Sequence, residues 1–195
     1  SNIMKRKLLA IIGGFIMVFA LSFAGKCAYS ALPTGTGTVS PPPVNPRIFV
    51  SATLTTGAMG GVAGADAICN SDVNKPTAST YKAMIWSSSR NIYSADWVLR
   101  ANTTYYRSDG LPIATTDGNK KLPIPLANPI GSSLVVFTGV SNSLDIAYSG
   151  YTCSDWSSNA AMSVIGNASY QSSDDFLNVN GVGCSTPYHI YCVEQ

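Results

Sequence analysis

Histidine is nearly missing from this sequence: His189 is the only one in 195 residues. The cysteines never fall as Cys-x-x-Cys, so zinc-site spacing is missing too and zinc is a poor rival to disulfide pairing. No Gly-x-Ser-x-Gly turn, phosphate-binding loop or convergent carboxylate pair occurs, and no catalytic residue is assigned. His189 has no identifiable partner and reads as structural. Charge is scarce as well, at 11% of residues, and the formal net charge of +2 overstates the basic side. Lys5, Arg6, Lys7 and Lys26 lie in an amino-terminal segment expected to be removed; from Ala31 onward eight basic residues stand against ten acidic ones, a balance of −2. No basic excess remains to draw the mature chain to nucleic acid or to an anionic membrane.

What is present is apolar: 46% of residues are hydrophobic, enough for a core. Leu8 to Ala24 is a run of 17 apolar or small residues behind Lys5-Arg6-Lys7, the charged-then-apolar order of a secretory signal. Residues 1–3 precede Met4 and read as an expression scar. The signal is expected over residues 4–30, cut after Ala24 or, preferably, after Ser30, because Lys26 crowds the first position. An uncleaved anchor would be short for a bilayer, and Lys26 spoils the small-residue pattern of a lipidation site at Cys27. The expected location is outside the cell or on its surface, with a periplasm as a stage in transit.

Residues 31–46, ALPTGTGTVSPPPVNP, cannot build a core and read as an extended tether, so the globular domain is expected over residues 47–195. It keeps four cysteines, Cys69, Cys153, Cys184 and Cys192, an even number in a chain bound for an oxidising compartment. Two disulfides are the default, and their count leaves three pairings open. Strands are expected at Ile48–Val50, Tyr81–Trp86, Leu134–Phe137, Cys153–Ser158 and Tyr188–Val193, the third of them central and buried on both faces. A helix is expected over Gly64–Val73, with Ala65, Ile68, Cys69 and Val73 on its buried side, and a helical turn near Asp96–Ala101. Asp109-Gly110 and Asp117-Gly118 supply hairpin-type turns in a long polar region.

From Ile48 onward IFVSA, GGVAGADAIC at 60–69, YKAMIWSS at 81–88, VVFTGV at 135–140, CSDWSS at 153–158 and CSTPYHIYCVE at 184–194 follow one another. In that order they resemble the C-type lectin-like fold in its endostatin-like branch, and are most similar to a bacterial family of secreted or surface proteins of unknown function on that fold. The final piece is the most specific: two cysteines eight positions apart, the second in an aromatic strand followed by Glu194. The resemblance implies an α+β domain with small antiparallel sheets, one or two helices, a long loop region and two nested disulfides, Cys69 with Cys192 and Cys153 with Cys184.

Sugar-binding members of that fold hold calcium through a proline loop and a Trp-Asn-Asp strand. Here the corresponding strand positions are Val179, Asn180 and Gly181, and Ala127-Asn128-Pro129 lacks the acidic residue, so that site is expected to be absent and no cofactor is assigned. Asp174, Asp175, Asn178 and Asn180 still gather oxygen ligands within seven positions and are the candidates for a divergent calcium site, against a reading as a solvated loop. Trp86, Trp97 and Trp156 are expected in the core. Arg90, Arg100 and Arg107 could cluster with Lys120 and Lys121, but the bland reading is scattered solvated charge. Tyr105, Tyr106, Arg107, Tyr148 and Tyr151 are the candidates for ligand contact, with Tyr170 another tyrosine in a loop. The function expected is that of a secreted, non-catalytic module contacting an extracellular protein or glycan through loops at about 101–130 and 139–151. The alternative is an envelope-associated structural protein without a specific small ligand.

Overall fold

The chain builds its larger sheet around its own last strand. The computed structural model describes residues 44–140 and 150–195, which lie in one compact unit. The expected signal over 4–30, most of the tether, Tyr148 and much of the 139–151 loop lie outside the described residues. The architecture is α+β, with few helices, small sheets and two disulfides.

In chain order the elements are β1 (Ile48–Val50), α1 (Gly61–Ser71), β2 (Tyr81–Ala83), β3 (Thr104–Tyr106), β4 (Pro112–Thr115), β5 (Val135–Phe137), β6 (Met162–Asn167), β7 (Asn180–Gly183) and β8 (His189–Glu194). The sheet runs β1-β8-β5-β6-β7, with β2 also on β8; β3 and β4 form a separate hairpin. β8 takes β1 along one edge, Phe49 opposite Cys192. Its other edge is shared by β2, Ala83 opposite Cys192, and by β5, Phe137 opposite Ile190. The expectation of antiparallel sheets is corrected in one place, because β5 and β8 run parallel.

β8 holds the centre because Ile190 to Glu194 are all buried, and a strand covered on both faces reads as a continuous apolar run. Alternation then sorts the core. Ile48, Val50, Val136, Tyr191 and Val193 face the long loop region, together with Trp86, Trp97, Tyr105 and Phe176. Phe49, Phe137, Ile190 and Cys192 face the other way, onto α1, Trp156 and both disulfides. The structure joins Cys69 to Cys192 and Cys153 to Cys184. All four cysteines are buried, and Gly57 is packed so closely that a Cβ there would lie 2.3 Å from the Cys153 sulfur.

Helix α1 begins and ends earlier than expected. Val73 falls beyond it and is 87% exposed, while Asp72 turns inward. The reason is that the Asp72 carboxylate accepts the backbone N–H groups of Ala52, Thr53 and Asn74, each at 2.9 Å, and so ties the helix end to the segment after β1. The expected strand Tyr81–Trp86 stops at Ala83; Met84 and Trp86 continue as buried irregular chain, donating to the carbonyls of Tyr191 and Thr138. The region expected to turn helically at Asp96–Ala101 consists of non-helical turns and bends.

The largest departure is at Cys153–Ser158, expected as a strand. Cys153, Ser154, Asp155 and Trp156 instead form a left-handed turn with φ of 51°, 53°, 53° and 65°. Cys153 and Trp156 must both be buried on one side, and residues three apart on a strand face opposite ways. Thr152 O accepts Trp156 N–H at 2.8 Å, Asp155 accepts Ser88 N–H at 2.9 Å, and Trp156 Nε1–H donates to Trp86 O at 2.7 Å.

Between Met84 and Leu134 the only regular structure is the β3–β4 hairpin, yet the segment is packed, with Ile92, Val98, Leu99, Leu122, Leu126 and Ile130 buried. Arg90 anchors its start. Its guanidinium is 1% exposed, grips Asp66 of α1 through two bonds of 2.6 and 2.7 Å, and reaches Asp96 at 2.9 Å, which also pairs with Lys82. Arg90 is therefore neither part of a basic surface nor a scattered solvated charge.

Candidate functional site

Tyr151, Met162, Val164, Asn178, Asn180 and Gly181 line a cavity of 340 Å³ at the β6–β7 end of the sheet. β6 contributes Met162 and Val164, spaced by two and so on one face, and Gly181 of β7 lies opposite Val164 in register. Asn178 reaches it from the end of a short 3-10 turn, Asp174–Phe176, whose Asp174 carbonyl accepts the N–H groups of Leu177 and Asn178. Tyr151 is held by the residues after it: Thr152 bridges to Ser163 of β6, and the left-handed turn follows at once.

A glycine lies beneath the ring. A Cβ on Gly181 would come within 3.0 Å of Tyr151 Cε1, so the missing side chain lets the tyrosine settle against the β7 backbone. Met162 is 42% exposed beside it, and the Asn180 side-chain oxygen accepts Gly181 N–H at 2.8 Å. None of the six lining residues carries an ionisable acid or base apart from the phenol. The site offers an aromatic face, a thioether and two amides, which suits recognition through stacking and neutral hydrogen bonds better than chemistry on a charged group.

The residues expected at a contact surface are divided. Tyr151 joins Asn178 and Asn180 here. Tyr105 is a correction: it is fully buried, because the Thr-Tyr-Tyr alternation of β3 turns it into the core while Tyr106 stays half-buried. Burial pushes the Tyr105 phenol pKa up, and its oxygen accepts Arg100 N–H at 2.8 Å. Tyr106 donates its N–H to Pro46 O, and Arg107 stands at a different cavity, formed where the β3–β4 turn faces β1. Tyr148 lies outside the described residues.

Of the calcium candidates, Asn178 and Asn180 line the cavity, whereas Asp174 and Asp175 stand on the turn before it, Asp175 accepting Ser173 Oγ–H at 2.7 Å. Among the described residues no group of three or more His, Cys, Asp and Glu side chains is placed to hold a metal ion. His189 Nδ1 lies 2.7 Å from Ser51 O, and all three tryptophans are buried. Lys120 and Lys121 share a third cavity with Ile92 and Tyr93, whose lining includes neither Arg90 nor Arg107. Among the described residues no helix is long and apolar enough to cross a membrane.

Met162, Val164 and Gly181 were missing from the expected site. The signal available was weak: Met162 and Val164 alternate as strand residues do, but what they face comes from β7 and from Tyr151.

No curated protein matches this sequence. A family model described as "Protein of unknown function (DUF1554)" matches residues 52–174, well over half of the chain. The matched stretch takes in Cys69, Cys153 and Tyr151 and stops before Asn178, Cys184 and Cys192. The chain belongs to the DUF1554 family, whose function is unknown.

Proposed function

We propose that this protein is exported and acts as a non-catalytic binding module of C-type lectin-like, endostatin-like architecture, which contacts an extracellular glycan or protein through the Tyr151 cavity. The observation that carries the reading is the meeting of Tyr151, Asn178 and Asn180 on a frame fixed by the Cys153–Cys184 bridge next door. A phenol ring presents an apolar face to the C–H side of a sugar or to an aliphatic side chain, and carboxamides supply both donors and acceptors for hydroxyl or peptide groups. A cavity of 340 Å³ fits one sugar unit or one side chain, not an extended substrate. Cys69, Cys192, Cys153 and Cys184 support an extracellular site of action, because buried disulfides persist where the environment is oxidising.

The test is a glycan array together with pull-down from extracellular matrix, run with the native protein and with Tyr151→Ala. Specific capture that Tyr151→Ala reduces about tenfold, the scale of losing one well-packed aromatic contact, is the expected result. Blank results on both surfaces, or capture indifferent to the substitution, would remove the proposal.

A further inference from the structure

A second cavity, of 390 Å³, lies elsewhere, between the turn of the β3–β4 hairpin and strand β1, and shares no residue with the Tyr151 site. Its apolar wall is made by Val50, Ile130 and Leu134, and Ser108, Ser132 and Asn74 supply neutral polar groups. At the hairpin side stand two opposite charges, Arg107 and Asp109, joined at 2.8 Å. Their side chains are 30% and 48% exposed, so water screens the bond between them and opening it is cheap.

We propose that this cleft binds a small zwitterion with an apolar side chain, of the α-amino-acid type. The guanidinium of Arg107 takes the carboxylate in a two-pronged contact, Asp109 takes the ammonium, and the side chain lies against Val50, Ile130 and Leu134. One screened ion pair within the protein is thereby exchanged for two between protein and ligand, partly shielded from water by the ligand itself. A ligand of one charge sign cannot do this, since it would open the Arg107–Asp109 pair and leave one partner unmatched. The cleft is at the lower end of the usual volume for small-ligand sites, which favours a single amino acid over a longer peptide.

Saturation-transfer NMR on the native domain tests this with leucine, with 3-methylbutylamine, which lacks the carboxylate, and with 4-methylpentanoate, which lacks the ammonium. Leucine is expected to receive saturation with a Kd in the range of about 1 mM. Each analogue, and each of Arg107→Gln and Asp109→Asn, should weaken binding about tenfold, the effect of one lost charge-assisted hydrogen bond. Both substitutions are at partly exposed positions, and near-UV circular dichroism identical to the native protein establishes that they fold. No transfer to leucine, isoleucine or phenylalanine at about ten times that concentration would overturn the proposal. So would binding of either analogue as tight as that of leucine, or leucine binding indifferent to Arg107→Gln. Any of these results leaves the Tyr151 reading standing, because the two cavities have separate linings.

Discussion

Arg90 carries its charge into a place where water does not reach it, and Asp66 and Asp96 make that position tenable. Removing the cation leaves the Asp66 carboxylate, 21% exposed, with its counter-charge gone while it still accepts Ala83 N–H. Arg90→Ala is expected to cost about 3–5 kcal/mol, read as a drop in the urea midpoint, and Arg90→Lys should recover only part of it because an ammonium cannot match the fork geometry. A loss under about 1 kcal/mol would show that the network is dispensable. Acid acts through neighbouring carboxylates. Burial works to raise the pKa of Asp72 and of Asp96; the backbone donors at Asp72, and the Lys82 and Arg90 cations at Asp96, outweigh it and hold both below the ordinary 3.8. A folded pKa lower than the unfolded one contributes stability above pH 3.8 that is lost as pH falls through the folded values. Stability should therefore decline below about pH 4, and Asp72→Asn should make that decline shallower in urea titrations at several pH values; an unchanged acid limb would remove Asp72 from the account.

At the scale of elements, the left-handed turn at residues 153–156 is the costliest piece of backbone. Left-handed conformation in L-residues costs about 1–2 kcal/mol each, and here four non-glycine residues adopt it in succession. Buried Trp156, the Cys153 bridge and the Asp155–Ser88 hydrogen bonds hold it in place. Ser154 is exposed, so Ser154→Gly should relieve strain without disturbing packing and raise stability by about 0.5–1.5 kcal/mol, whereas Ser154→Val should lower it. Thermal melts of the oxidised protein check both; equal melting points would mean that the turn is not strained at that residue. The same turn shows where local reading fails. CSDWSS has the composition of a strand end, and its real conformation depends on where Cys184 and Trp86 lie, far off in the chain. The first, central and last strands were legible because IFV, VVF and IYCV are apolar runs of strand length. β6 and β7 went unseen: β7, Asn-Gly-Val-Gly with two exposed and two half-buried residues, has no apolar run, and in β6 only Val164-Ile165 stand together between Ser163 and Gly166.

For the whole molecule, the two nested bridges span 123 and 31 positions. Chain-entropy arguments give about 5 and about 3.5 kcal/mol for loops of those lengths, comparable with the total stability of an ordinary domain. Reduction is expected to unfold the protein, seen as loss of near-UV circular dichroism on adding a phosphine reductant, and peptide mapping without reductant should recover Cys69 with Cys192 and Cys153 with Cys184. Native spectra after complete reduction would instead place the stability in the core alone.

Runs of apolar residues, the helix that carries Cys69 and the want of catalytic motifs are properties of neighbouring residues, and the amino-acid sequence determined them by itself. The count of cysteines left three pairings open and the resemblance implied the nested one that the structure holds, whereas reversing the hand of the backbone at Cys153 and burying Tyr105 while bringing Tyr151 to Asn178 and Asn180 were decided only in three dimensions. Each of these depends on segments tens of residues apart packing against a common strand, and such contacts leave no periodic trace in the local order of side chains.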